Sequence, residues 1–247
     1  CSPSAVRGKV FLMFEVKDMT VSYPDGSKAI KGMSVRLEDG ESAVLIGANG
    51  AGKTSLFLGI MGVLPHGGEV RLGDLVQDKK TLEAFRQKAG LVFQNPDDML
   101  FMPRIYDDIA FSLRNYGEPE DVVREKVNAI AEKLGITELL GRSSVKLSGG
   151  EKRMAALAAI LVSEPEFILF DEPTAFLDPK ARRRLIETLK TIDCTKLIAT
   201  HDLSFAEEAA RRGIFIRKGE LFDDGKLDKL LYDEKRMDEC GIEALGI

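Results

Sequence analysis

The sequence predicts an α/β fold, a parallel sheet covered by helices on both faces with a helical lobe inserted into it. Three observations carry this. Phe167-Ile168-Leu169-Phe170 and Lys196 to Thr200 are short continuous apolar runs, the pattern of strands buried on both faces. Ala43 to Ile46 is a third such run, followed by a glycine-rich loop and a helix. Between Pro103 and Lys146 the character changes, and Val122, Val123, Val127, Ile130, Ala131 and Leu134 fall at helical spacing within Asp121 to Leu134.

Taken in order, residues 1–12 read as an upstream extension or expression remnant ahead of Met13. Phe14-Glu15-Val16 and Thr20 to Tyr23 alternate like two strands, and Pro24-Asp25-Gly26 turns beyond them. Met33 to Glu38 alternates again, Asp39-Gly40 turns, and a helix is expected from Lys53 to Met61. Pro65-His66-Gly67-Gly68 reads as a turn with a solvent-exposed His66, and Glu69 to Leu72 returns as a strand. Leu91-Val92-Phe93 is a short buried strand ending at Gln94. Glu151 to Val162 is a helix, and residues 226–247 are a short charged tail, expected to be helical. No internal repeat is present.

The bulk numbers bound the function. A chain of 247 residues can bury one substantial core. Its net charge of -5 argues against a nucleic-acid partner, which needs a basic surface. The longest strongly apolar run, Met154 to Val162, is less than half of what a bilayer span requires. Cys1, Cys194 and Cys240 show no ligand spacing and fit a reducing cytoplasm, with Cys194 expected as a core thiol.

Gly47-Ala48-Asn49-Gly50-Ala51-Gly52-Lys53-Thr54 fits the phosphate-loop pattern in its proper context, after a strand and before a helix. Glycines let backbone N–H groups converge on phosphate oxygens, and the helix N-terminus adds the positive end of its dipole. Lys53 supplies a point charge near the β and γ phosphates. The Thr54 hydroxyl suits Mg2+, and Ser55 completes the nucleotide-binding set. Asp171 and Glu172 close a buried strand, at the edge where a parallel sheet binds ligands. Asp171 is the candidate Mg2+ holder, and Glu172 is placed to polarise an attacking water. Read without the loop upstream, Asp-Glu-Pro is also a helix-start signal. Gln94 ends another strand with an amide able to reach both metal and water.

The sharpest segment is Leu147-Ser148-Gly149-Gly150-Glu151, a second glycine pair opening a helix and therefore a second anion site. A chain with one phosphate loop has no evident use for it alone. Together these segments resemble the ATP-binding cassette (ABC) family, over roughly residues 13 to 225. That resemblance implies a P-loop ATPase core with a mixed sheet, an N-terminal antiparallel β subdomain and an inserted helical subdomain. Residues 13–97 and 163–225 would form the core and β parts, and residues 98–162 the helical part. It implies ATP and Mg2+ as cofactors and hydrolysis to ADP and phosphate. It sets Ser148, Gly149 and Gly150 over the γ-phosphate held by a partner's loop, with Asp178 communicating across the interface. Two chains would then sandwich two nucleotides head to tail, as a homodimer or as a heterodimer with a paralogous ATPase. His201 becomes a γ-phosphate sensor rather than a satisfied polar residue, and Gln94 a coupling hinge. Tyr23 stacks on adenine, although the pattern also allows an ordinary strand aromatic. Two departures stand out: Glu151 replaces the more usual glutamine, and Phe176 is bulkier than the small residue common in its loop.

Phe93-Gln94-Asn95-Pro96-Asp97-Asp98, Leu100-Phe101 and Asp107-Asp108-Ile109-Ala110-Phe111 resemble more narrowly the ATPases of energy-coupling-factor importers, which take up cobalt, nickel or vitamins. Met99 departs from the glutamine usual there. The likeness implies a transmembrane coupling subunit gripped between Gln94 and the helical lobe, and a cytoplasmic place on the inner face of the cell membrane. Met99, Leu100, Phe101 and Met102 are apolar enough to line that groove or to be buried in the chain's own core. A soluble ABC ATPase of cofactor assembly or repair is the second reading, with the Asn95 to Phe111 segment against it. A P-loop GTPase or kinase-type switch is the third, and no Asn-Lys-x-Asp base-reading motif supports it.

Overall fold

The computed structural model describes residues 13–242. β1 (Phe14–Ser22) is one strand where the sequence suggested two. Its inward residues are Phe14 and Val16, then Met19 and Val21, so the parity shifts midway. A bulge at Lys17 and Asp18, with Asp18 at φ 46°, absorbs the extra residue and keeps both pairs facing inward. Antiparallel to β1 run β2 (Lys28–Leu37) and, on its other side, β4 (His66–Leu72). With the short β5 (Leu75–Val76) they form a four-stranded sheet in the order β2-β1-β4-β5.

His66 corrects the sequence reading. It begins β4, pairs with Val21, and lies half-buried with Nε2 2.7 Å from Gln77 Oε1. Strand pairing overrides the turn chemistry that His-Gly-Gly suggests locally.

The second sheet holds six strands in the order β10-β9-β3-β8-β7-β6. β3 (Ser42–Ile46) leads into α1 (Lys53–Ile60), and α2 (Leu82–Lys88) precedes β6 (Ala89–Val92). The helical lobe follows as α3 (Ile105–Asn115), α4 (Glu120–Leu134) and α5 (Gly149–Leu161). The chain re-enters the sheet as β7 (Phe167–Asp171), and α6 (Pro179–Lys190) leads to β8 (Thr195–Thr200). α7 (Leu203–Ala209), β9 (Arg212–Arg217) and β10 (Glu220–Lys226) complete it. All its pairings are parallel except β9 with β10, so the sheet is mixed.

Alternation along the central strands divides the interior in two. Val44, Ile46, Ile168, Phe170 and Ile198 pack with α3 to α7 on one face. Ala43, Leu45, Phe167, Leu169 and Leu197 pack with α1 and the antiparallel sheet on the other. Phe14 of β1 stacks on Phe167 of β7, with ring centroids 3.9 Å apart. α8 (Leu227–Leu230) and α9 (Glu234–Glu239) follow, and Leu227, Leu230, Leu231, Met237 and Cys240 are buried in the first of these cores. Cys194 is buried there too, and burial pushes its thiol up to about 11. Among the described residues no helix is long and apolar enough to cross a membrane.

Candidate active site

The loop 47–52 joins β3 to α1, and it is built for a backbone approach. Gly52 sits at φ 112°, and a Cβ there would lie 2.8 Å from the Ala29 carbonyl oxygen. As the N-cap of α1, Gly52 brings no capping side chain, and the first turn carries no acidic residue. α6 is capped by Asp178 and α7 by Asp202. The first N–H groups of α1 thus stay open to an anion, with the helix dipole behind them.

A cleft of about 470 Å³ opens above this turn. Of the residues singled out in the sequence, Tyr23, Asn49, Gly50, Ala51, Gly52, Lys53, Thr54, Ser55, Gln94, Asp171, Glu172 and His201 all line it. Gly47 lies beneath, its carbonyl accepting from Lys53 Nζ at 2.6 Å. Ala48 of the quoted loop lines the cleft as well, and so do Ser27, Lys28 and Ala29, which were not singled out; their proximity to Tyr23 was the available signal.

Thr54 Oγ1 donates to Asp171 Oδ2 at 2.7 Å. Burial pushes the Asp171 carboxyl up, opposed by that hydrogen bond, while neighbouring Glu172 also raises it and Lys53 lowers it. Glu172 has the left-handed φ of 44°, a conformation costing roughly 1–2 kcal/mol for a residue with a Cβ. Its N–H donates to the Ala199 carbonyl at 2.9 Å. Its Oε2 accepts from the His201 backbone N–H at 3.2 Å. Oε1 has His201 Nδ1 at 2.9 Å and Lys53 Nζ at 3.5 Å, yet receives no well-aligned hydrogen bond from either. Glu172, a residue lining the cleft, thus keeps one buried carboxylate oxygen with spare acceptor capacity, the property that a water-polarising base uses.

Among the described residues no group of three or more His, Cys, Asp and Glu is placed to hold a metal. Thr54 and Asp171 instead offer two hard oxygen ligands beside a phosphate loop, the sparse protein share that Mg2+ accepts alongside water and substrate phosphate. That donor set fits the ion. Tyr23 is partly exposed, and its hydroxyl lies 2.8 Å from Ser55 Oγ.

Ser148, Gly149, Gly150 and Asp178 do not line this cleft. Ser148 caps α5 in a capping box: its N–H and hydroxyl both lie 2.8 Å from Glu151 Oε2, and its Oγ accepts from the Glu151 N–H. Those bonds, the backbone one first, hold the Glu151 carboxyl below the usual range. The second anion site therefore already has a carboxylate of its own chain beside it. Phe176, at φ 63°, is 88% exposed and so packs against little in its own chain. A Cβ on Gly150 would come within 2.8 Å of Ala181 Cβ, so the turn sits tightly on α6.

The family model described as ABC transporter matches residues 30–175, more than half of the chain. The chain belongs to the ABC transporter ATP-binding family. An ABC transporter ATP-binding protein of Geobacter sulfurreducens is 40% identical over 230 residues, covering 93% of this chain and 92% of that protein. The energy-coupling factor transporter ATP-binding protein EcfA of Methanothermobacter thermautotrophicus is 42% identical over 219 residues, covering 86% of this chain and 70% of that protein. The structure of cbiO1 from Clostridium perfringens, part of the ABC transporter complex cbiONQ, superposes with a TM-score of 0.80 at 29% identity. That likeness covers 93% of this chain and 94% of that one. The antiparallel N-terminal sheet and the mixed sheet found here are those of an ABC ATPase.

Proposed function

We propose that this chain is the ATP-hydrolysing motor of an energy-coupling-factor type importer of metal ions or vitamins, working as a head-to-tail dimer on the inner face of the membrane. One observation carries the dimer. Every side chain needed to hold and attack a triphosphate lines one cleft, while Ser148-Gly149-Gly150 and Asp178 lie on the surface outside it.

Adenine stacks on Tyr23, and the loop 47–52 with the open end of α1 receives the phosphates. Lys53 exchanges its contacts to the Gly47 and Ala48 carbonyls for phosphate oxygens. Thr54 and Asp171, with the Gln94 amide, would hold Mg2+, whose charge supports the phosphates during transfer. Glu172 orients and deprotonates the attacking water through its carboxylate. His201 senses the γ-phosphate, a role supported by its place 2.9 Å from Glu172.

The second chain supplies the rest. Driving closure from mostly open to mostly closed takes about 5.5 kcal/mol of differential binding. A single hydrogen bond gives only about 0.5–1.5 kcal/mol, whereas two shared phosphate sites with several bonds each can supply it. A membrane subunit has a docking point in the 99–102 segment. Leu100 is buried in the core, whereas Phe101 is 61% exposed and meets Phe111 edge-on at 5.1 Å. The relatives fit this setting: one is named for an energy-coupling factor transporter and one is part of a transporter complex.

Glu172→Gln keeps the shape of the cleft but removes the base. With saturating Mg-ATP it should sediment as a dimer and show no turnover, reverting to monomer with Mg-ADP. A variant that remains monomeric in Mg-ATP overturns the sandwich.

A further inference from the structure

Beside its apolar packing, α5 reaches back to the core through a buried arginine. Arg153, three residues beyond Gly150, is only 1% exposed. Its Nη1 donates to the Phe93 carbonyl at 2.7 Å and its Nη2 to the Gln94 carbonyl at 2.5 Å. Both carbonyls lie just past the end of β6 at Val92, where the strand ladder no longer supplies partners. Its Nε is buried without a partner among the described residues. With no carboxylate among the described residues bonded to it, burial pulls the guanidinium down to about 10.

A buried cation held by two carbonyls is an expensive way to fill space, since an apolar residue would need neither desolvation nor partners. What the planar fork supplies is geometry. It fixes both the distance and the orientation of α5 relative to residues 93 and 94. A second contact reinforces it, for Lys152 Nζ lies 2.6 Å from Asp97 Oδ1, in the short 3-10 turn Pro96–Asp98 just beyond Gln94. Gln94 lines the nucleotide cleft, and α5 begins at the Ser148-Gly149-Gly150 turn.

We infer that Arg153 is a positioning residue that makes Gln94 and the Ser148-Gly149-Gly150 turn move as one body. The state of one chain's own cleft then sets how that chain presents its glycine turn to a second chain. This rests on the proposed dimeric ATPase. Another tie between lobe and core offers a comparison that avoids Gln94. Arg184 of α6 donates through Nη2 to the carbonyls of Leu134 at 2.7 Å and Gly135 at 2.8 Å.

The test compares Arg153→Met, Arg153→Lys and Arg184→Ala. Each is assayed for ATP turnover, for binding of a fluorescent ATP analogue to the monomer, and for ATP-driven dimerisation in the Glu172→Gln background. Arg153→Met should raise the ATP needed for half-dimerisation at least about ten-fold and lower kcat comparably, while monomer affinity changes less than about two-fold. Arg153→Lys, which keeps the charge but not the fork, should fall between. It carries the same criterion if the methionine variant does not fold. Arg184→Ala should leave the half-dimerisation point within about two-fold whatever it does to Tm. Equal shifts in the Arg153 and Arg184 variants, or none in either, refute the inference while leaving a normal wild-type ATPase in place. A wild type without ATP turnover overturns the functional reading and this inference together.

Discussion

Tyr23 offers the sharpest test of which part of the cleft recognises the base. Tyr23→Phe removes only the hydroxyl that meets Ser55 Oγ at 2.8 Å, a part-buried hydrogen bond with a net value of about 0.5–1.5 kcal/mol. Tyr23→Ala removes the ring as well, and stacking of a base on an aromatic ring contributes about 1–3 kcal/mol. At about 1.4 kcal/mol per decade, Tyr23→Ala should weaken ATP binding roughly 5- to 150-fold. Because stacking is the same before and during the chemical step, kcat should stay near wild type while KM rises. Calorimetry with ATP and with inorganic triphosphate separates the base from the phosphates. Triphosphate has no ring to stack, so its affinity should be equal in wild type and Tyr23→Ala. Equal weakening of both ligands would refute stacking, and would mean that Tyr23 acts by steadying Ser55 and the loop.

Two further substitutions probe the charges. The Asp171 carboxyl is pushed up by burial, so the folded chain holds its proton to higher pH than the unfolded chain does. Stability is therefore lost as pH rises from the ordinary carboxylate range through the raised folded pKa. Asp171→Asn should melt higher than wild type at pH 7, the gap closing on acidification into the ordinary carboxylate range, and should hydrolyse no ATP. A lower Tm at pH 7 contradicts this. Glu151 places a carboxylate against the Ser148 hydroxyl, with Arg142 Nη1 at 3.4 Å and the Arg184 charge nearby. Glu151→Gln keeps the capping box and removes the charge facing a partner's γ-phosphate. In the Glu172→Gln background it should dimerise at lower ATP with unchanged Tm; light scattering showing a higher requirement would argue against the shared site.

The phosphate loop and the acidic strand end were legible because their chemistry is local: a strand, a turn and a helix in direct succession. β3, β7 and β8 announce themselves as apolar runs, and α4 starts and stops within a residue of its expected bounds. What escaped depends on distant partners. The bulge at Lys17 and Asp18 made one strand look like two, and His66 takes its conformation from β1 rather than from its glycines. α6 hid because its sequence is crowded with arginine and lysine and only Leu185, Ile186 and Leu189 face the core. Arg153 precedes an apolar helix run, where an arginine reads as the solvated side; its partners lie about sixty residues upstream. Within the 99–102 segment Leu100 is buried in the chain's own core while Phe101 is exposed, a difference that the apolar run alone does not reveal.

The central claim is that each active site is shared, one chain giving Lys53 and the other Ser148. Lys53→Met and Ser148→Phe should each be inactive alone. Mixed in equal amounts, half of the dimers pair one of each, and such a dimer has one intact site of two. Turnover should recover to about a quarter of wild type per chain. A mixture as inactive as its parts, or a Ser148→Phe chain with wild-type turnover on its own, would contradict the shared site directly.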